Sequence, residues 1–128
     1  MDVLLDTQAF IYAADPRRTD RLPAKAKNAI LNANRRFMSV MSVYEIALKH
    51  RKGKLELGQN LTERLLDDLV IDLLPISPEH VFRSFNLPMH HSDPFDRLII
   101  IAALEQGIPL IGGDHEFPKY KGLKVLWD

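Results

Sequence analysis

Cysteine is missing from this 128-residue chain. Its absence excludes disulfide frameworks, thiolate zinc sites and cysteine nucleophiles, and it fits a reducing compartment. Net charge is missing as well. The 17 lysines and arginines balance 17 aspartates and glutamates, so there is no general electrostatic case for nucleic-acid or membrane binding, and any such surface must be local. Every apolar run is interrupted by charge well short of a membrane span, and the amino terminus, Met1-Asp2-Val3-Leu4-Leu5-Asp6, lacks the basic region of a secretory signal. Internal repeats, low-complexity tracts and linkers are absent too. The expectation is one soluble, cytoplasmic domain over residues 1–128, large enough to bury a core without a disulfide or a structural metal.

What the chain does have is a set of short apolar runs alternating with helical patterns. Val3-Leu4-Leu5 predicts a buried strand that ends at Asp6-Thr7. A short helix over Ala9–Ala14 follows, broken by Asp15-Pro16, and a second is expected from Leu22 to Ala33. Phe37–Val40 predicts the next strand. Ser42 and Glu45 have the spacing of a capping box, which opens a helix that stops at Gly53. From Asn60 to Asp72, leucines recur at helical spacing, with Asp67-Asp68 on the solvent side. Leu73–Ile76 reads as a strand that Pro75 either confines to an edge or ends early, and Ser77-Pro78-Glu79 starts a helix reaching Phe85.

Asp93-Pro94-Phe95-Asp96 then opens a helix too apolar to be exposed. Asp93 is its N-cap, Pro94 its first residue and Asp96 its third, and Gly107 ends it. Leu110-Ile111 and Lys124–Trp127 complete the strands, with Asp114 just after the former. His90-His91 precedes the apolar helix. Adjacent histidines lack the usual same-face ligand spacing, so they are read as a loop with a partly structural role and take no site assignment.

This order predicts an α/β fold with a mainly parallel sheet of about five strands flanked by helices. In such a sheet, strand carboxyl ends and the amino ends of the following helices share one rim. Asp6, Glu45, Asp96 and Asp114 all belong there. Each acid also has a structural explanation as a cap or turn residue, but together they would repel, raising their pKa values or recruiting a cation, unless Arg97 turned inward. Oxygen-only ligands favour Mg²⁺, with Mn²⁺ as a substitute, and such an ion suits phosphodiester hydrolysis. An aspartyl-phosphate phosphatase would need a second Asp where Gln8 stands, and a receiver domain an Asp where Ile76-Ser77 stands. A fold of this kind turned into a non-catalytic RNA- or protein-binding module is the remaining rival.

With these residues in view, the chain resembles the PIN-domain nucleases, and more closely the VapC-like toxin ribonucleases of type II toxin–antitoxin pairs. The matching segments are Leu4-Leu5-Asp6-Thr7, Ser42-Val43-Tyr44-Glu45-Ile46-Ala47-Leu48-Lys49, Asp93-Pro94-Phe95-Asp96-Arg97-Leu98-Ile99 and Ile111-Gly112-Gly113-Asp114, followed by Phe117 and a terminal Val125-Leu126-Trp127. The resemblance implies a Mg²⁺-dependent endoribonuclease, the toxin of such a pair or, as the alternative, a PIN nuclease in general RNA processing. Asp6 and Asp96 would be the principal ligands, Glu45 and Asp114 would complete the site, and Asp93 and Thr7 would be secondary contributors. It implies a cognate antitoxin and a homodimer as well. Arg17, Arg18, Arg21, Arg35, Arg36, Arg51 and Lys52 are then candidates for RNA-backbone contacts. Family members commonly carry a hydroxyl residue two positions before the fourth acid; this chain has Gly112.

Overall fold

Val3, Leu4 and Leu5 are completely buried and form β1 (Val3–Leu5), the middle strand of the protein. The computed structural model describes residues 1–128. After β1 come α1 (Thr7–Ala14), α2 (Ala24–Leu31), β2 (Arg36–Ser39), α3 (Val40–Arg51), α4 (Gln59–Asp68), β3 (Ile71–Leu74), α5 (Pro78–Arg83), α6 (Pro94–Gln106), β4 (Leu110–Ile111) and β5 (Val125–Leu126). The five strands make one sheet in the order β3-β2-β1-β4-β5, and every neighbouring pair is parallel. This is the expected α/β architecture. Parallel neighbours need crossovers, which is why a helix or a long connection follows each strand.

Alternation along β1 divides the interior. Val3 and Leu5 point to one face, where they pack with Phe10, Ile11, Ala26, Ile30, Met38 and Ile46 from the helices α1 to α3 and from β2. Leu4 points to the other face and meets Ile99, Ile100 and Ile101 of α6, with Phe37, Leu110 and Phe117. All three isoleucines are fully buried, so α6 is an internal helix along its middle, as the unbroken apolar run Leu98–Leu104 requires. Each such side chain contributes about 1.5–3 kcal/mol of burial. Gly107 ends α6 in the left-handed conformation at φ 64°, and its N–H reaches back to the Ala103 carbonyl.

Some boundaries differ from those predicted. The α3 helix begins at Val40, directly out of β2, and its N-cap is Ser39, whose hydroxyl accepts the Met41 N–H. The expected Ser42–Glu45 capping box is therefore not formed, and Glu45 sits in the second turn instead of the first. The helix α4 stops at Asp68 and not near Asp72, because Val70 adopts φ 54°, a left-handed conformation that is costly for a β-branched residue and cannot continue a helix. As a result β3 pairs through Ile71–Leu74, two residues earlier than expected, at the sheet edge.

Candidate functional site

Asp6 leaves the carboxyl end of β1 and caps α1, its Oδ1 accepting the Ala9 N–H at 2.8 Å. Its backbone N–H is tied to Ile111 of β4 at 3.0 Å, so the carboxylate is fixed by both the sheet and the helix. Thr7 begins α1 and is buried. Its hydroxyl donates to Ser42 Oγ at 2.9 Å, tying α1 to α3. That proton is therefore used in packing. Glu45 projects from α3 toward the same place. Lys49, one turn on, pairs with its Oε2 at 3.0 Å, whereas Oε1 is buried without any partner.

Asp93 caps α6, its Oδ1 accepting the N–H groups of Phe95 at 2.8 Å and Asp96 at 3.2 Å. This is the cap role expected of it. Asp96, in the first turn, is free of that duty, and its Oδ2 lies 3.0 Å from His91 Nε2. Asp114 follows β4. Its Oδ1 accepts the Glu116 N–H at 2.8 Å and its Oδ2 lies 2.9 Å from the same His91 nitrogen. Asp6, Thr7, Glu45, Asp93, Asp96 and Asp114 together line one cleft of about 420 Å³, with Tyr12, Lys49 and Trp127 at its walls. Every acid placed on the rim by sequence is thus brought into the same cleft.

His91, read from the sequence as a loop residue without a site assignment, is part of the cluster. His91, Asp96 and Asp114 offer ligand-type atoms within 4.8 Å of one another. Arg97, the basic residue that could have neutralised the acids, turns away: its guanidinium donates to the carbonyls of Ser84, Leu87, Pro88 and His91. Of the candidate RNA-contacting arginines, Arg35 is paired to Asp72, Arg36 donates to the carbonyls of Ile30 and Leu31, and Arg17 is bound to Asp15. None of these lines the cleft.

The electrostatics follow from this arrangement. Burial pushes Asp6 up to about 7; the Ala9 N–H opposes the rise, and repulsion from Asp96, Glu45 and Asp114 adds to it. Burial also raises Asp96 to about 6, with the neighbouring Asp93 carboxylate as the next cause; the His91 ring opposes the rise, and Glu45 and Asp114 add to it. Asp114 loses solvation too, but the Glu116 N–H and the His91 ring outweigh that loss and hold it below the ordinary carboxylate value. A cleft rich in carboxylate oxygen, with one buried oxygen left without a partner and two acids held back from ionising, fits a hard divalent cation.

The PIN domain family model matches residues 3–123. The chain belongs to the PIN-domain family. A comparison with curated proteins finds no match. Among solved structures, this PIN domain is similar to the VapBC2 complex of Rickettsia felis bound to a DNA fragment from its promoter, with a TM-score of 0.69 and 16% identity over 100% of both chains. It is similar to a toxin–antitoxin complex from Klebsiella pneumoniae, with a TM-score of 0.66 and 18% identity over 94% of each chain. VapC20 of Mycobacterium tuberculosis, a sarcin–ricin loop cleaving toxin, aligns with a TM-score of 0.61 and 15% identity over 95% of this chain and 98% of its own. At these identities the likeness is one of fold.

Proposed function

We propose that residues 1–128 act as a single PIN-like nuclease domain, a Mg²⁺-dependent endoribonuclease hydrolysing RNA phosphodiester bonds, and that it serves as the toxin of a type II toxin–antitoxin pair. The observation that carries this reading is the convergence of Asp6, Glu45, Asp96 and Asp114 in one cleft, where two of them are held up in pKa and one Glu45 oxygen is without a partner. Asp6 and Asp96 are the principal residues for holding Mg²⁺ or Mn²⁺, with Glu45 and Asp114 beside them. When bound, the ion supplies a polarised water and offsets charge on phosphate oxygens.

The chain's own residues do the rest. Asp6 and Asp96 would hold the cation through their carboxylates, Lys49 holds Glu45 in orientation, and the walls at Tyr12 and Trp127 give an RNA strand aromatic surface beside the acids. The toxin assignment is supported by the fold shared with toxin–antitoxin structures, which also supports an antitoxin as partner. An exposed face at Val81, Phe82, Phe85 and Met89 supports a homodimer. No helix is long and apolar enough to cross a membrane.

Purified protein is expected to cleave RNA with Mg²⁺ or Mn²⁺ and to stop in excess chelator. Asp96→Asn should lower cleavage on the order of a hundredfold or more with an unchanged circular dichroism spectrum. Undiminished cleavage by that variant, or in chelator, contradicts the assignment. RNA binding without cleavage and without dependence on the ion would instead make the protein a binding module.

A further inference from the structure

His91 stands between two of the carboxylates, and its side chain is 12% exposed. Nε2 lies 2.9 Å from Asp114 Oδ2 and 3.0 Å from Asp96 Oδ2. Distances this short suit three different imidazoles. One is neutral with its proton on Nδ1, its Nε2 lone pair accepting from an un-ionised carboxyl and open to a cation once that proton leaves. One is an imidazolium standing where a cation would stand. The third is neutral with its proton on Nε2.

The other edge of the ring decides among them. The Asp93 backbone N–H donates to His91 Nδ1 at 3.1 Å, so Nδ1 presents a lone pair. The first two species both carry a proton there and would set one N–H against another. Only the third remains, and its Nε2–H meets Asp114 Oδ2 with hydrogen-bond geometry. Turning the ring over would put carbon at both of these contacts, and the loop that carries the ring is itself held in place. His91 N–H donates to the Tyr120 hydroxyl at 2.8 Å, which donates in turn to the Pro88 carbonyl at 2.9 Å, and the His91 carbonyl accepts from Arg97 at 3.2 Å. Phe117 packs on the ring at 5.9 Å between centroids.

We propose that His91 is a positioning residue, a neutral Nε2–H donor that draws the Asp114 carboxylate toward Asp96 and contributes no ligand atom to the cation. The consequence for the ion rests on the metal-dependent reading above, whereas the ring's protonation does not. A ligating imidazole would bring the site into the range of zinc and other borderline metals. With His91 held as a donor the set is oxygen only, and Mg²⁺ or Mn²⁺ is the ion it suits. The Asp93 cap thereby acquires a further role, because the backbone of the same residue sets the histidine tautomer.

Two measurements test this on the full chain. Imidazole nitrogen resonances of ¹⁵N-labelled protein should report an unprotonated Nδ1 and a protonated Nε2 for His91, both before and after Mg²⁺ is added. In calorimetric titrations with Mn²⁺, His91→Gln, which restores an N–H donor near the Nε2 position, should bind within about threefold of the unmodified protein, and His91→Leu should bind about tenfold or more weakly. A proton on Nδ1, or loss of the Nε2 proton on adding Mg²⁺, overturns the proposal. So does His91→Leu binding as well as the unmodified protein, or His91→Gln failing as badly as His91→Leu. If the unmodified protein binds neither ion, the metal reading fails by itself and the ring signals alone decide His91: an Nε2–H with a bare Nδ1 upholds the donor role, and any other pattern removes it.

Discussion

Asp6 is the residue on which the cost of the site falls. Folded, it keeps its proton to about pH 7, whereas an unfolded chain ionises it near 3.8. Between those values the folded state binds more protons, so this group's effect is to lower stability as pH rises through that window. The effect is fully developed above about pH 7 and is gone below about pH 4, where both states are protonated. Asp6→Asn removes it and keeps an oxygen to accept the Ala9 N–H. In metal-free buffer the variant should therefore be more stable than the unmodified protein near pH 8, by a few kcal/mol at most, and equal to it near pH 4, as read from urea unfolding. An advantage that does not change with pH would mean that Asp6 is not held protonated by the fold. Gly112 bears on the same carboxylate. A Cβ built on Gly112 would stand 2.5 Å from Asp6 Oδ2 and 2.6 Å from Phe117 Cε2, so a hydroxyl residue of the kind common in the family has no room while Asp6 is turned this way. Gly112→Ser should lower stability by about 1–3 kcal/mol and weaken Mn²⁺ binding together. A variant that binds the ion at full affinity would show that the close approach of Gly112 is not needed for the position of Asp6.

At the scale of elements, the segment between α5 and α6 depends on a side chain that faces away from the cleft. Arg97 gathers the carbonyls of Ser84, Leu87, Pro88 and His91 onto one guanidinium, a geometry that the single ammonium of lysine cannot reproduce. Arg97→Lys should cost about 2 kcal/mol or more, and amide exchange should rise first over residues 84–91; a uniform rise across the chain would mean that the arginine supports the whole core and not this segment. The helix α6 itself was legible. Asp93, Pro94 and Gly107 mark its ends, and its unbroken apolar run states that it is internal. The four acids were legible for a related reason: each stands next to a strand or helix end, and a parallel sheet sends those ends to one rim. Two features were not. Ser42 and Glu45 have capping-box spacing, yet β2 runs into α3 with no loop, so Ser39 takes the cap and the Ser42 hydroxyl is taken by Thr7. His91 was judged by helical ligand spacing, but it lies in a loop, and its direction is set by Tyr120, Arg97 and Phe117, contacts that no local pattern announces.

Across the whole molecule, the most exposed apolar surface starts in α5 and runs into that same segment. Phe82, Phe85 and Met89 are 70%, 82% and 72% exposed, and the two phenylalanine rings stack at 6.3 Å. Large aromatics so open to water mark an association surface more often than an idle one. The face is also firmly mounted, since His80 and Arg83 of α5 both bind Glu105 of α6. With no net formal charge on the chain, two copies meet little long-range repulsion, and a two-fold pairing would set each Phe82–Phe85 stack against its equivalent. Such pairing would bury the stretch whose carbonyls Arg97 holds, and through it would steady His91. A homodimer through this face predicts that Phe82→Ser with Phe85→Ser shifts sedimentation from dimer to monomer and raises amide exchange at residues 84–91, with the strands unaffected. If the unmodified chain sediments as a monomer at high concentration, or the double variant stays dimeric, the face serves some other contact and the steadying of His91 comes from Arg97 and Tyr120 alone.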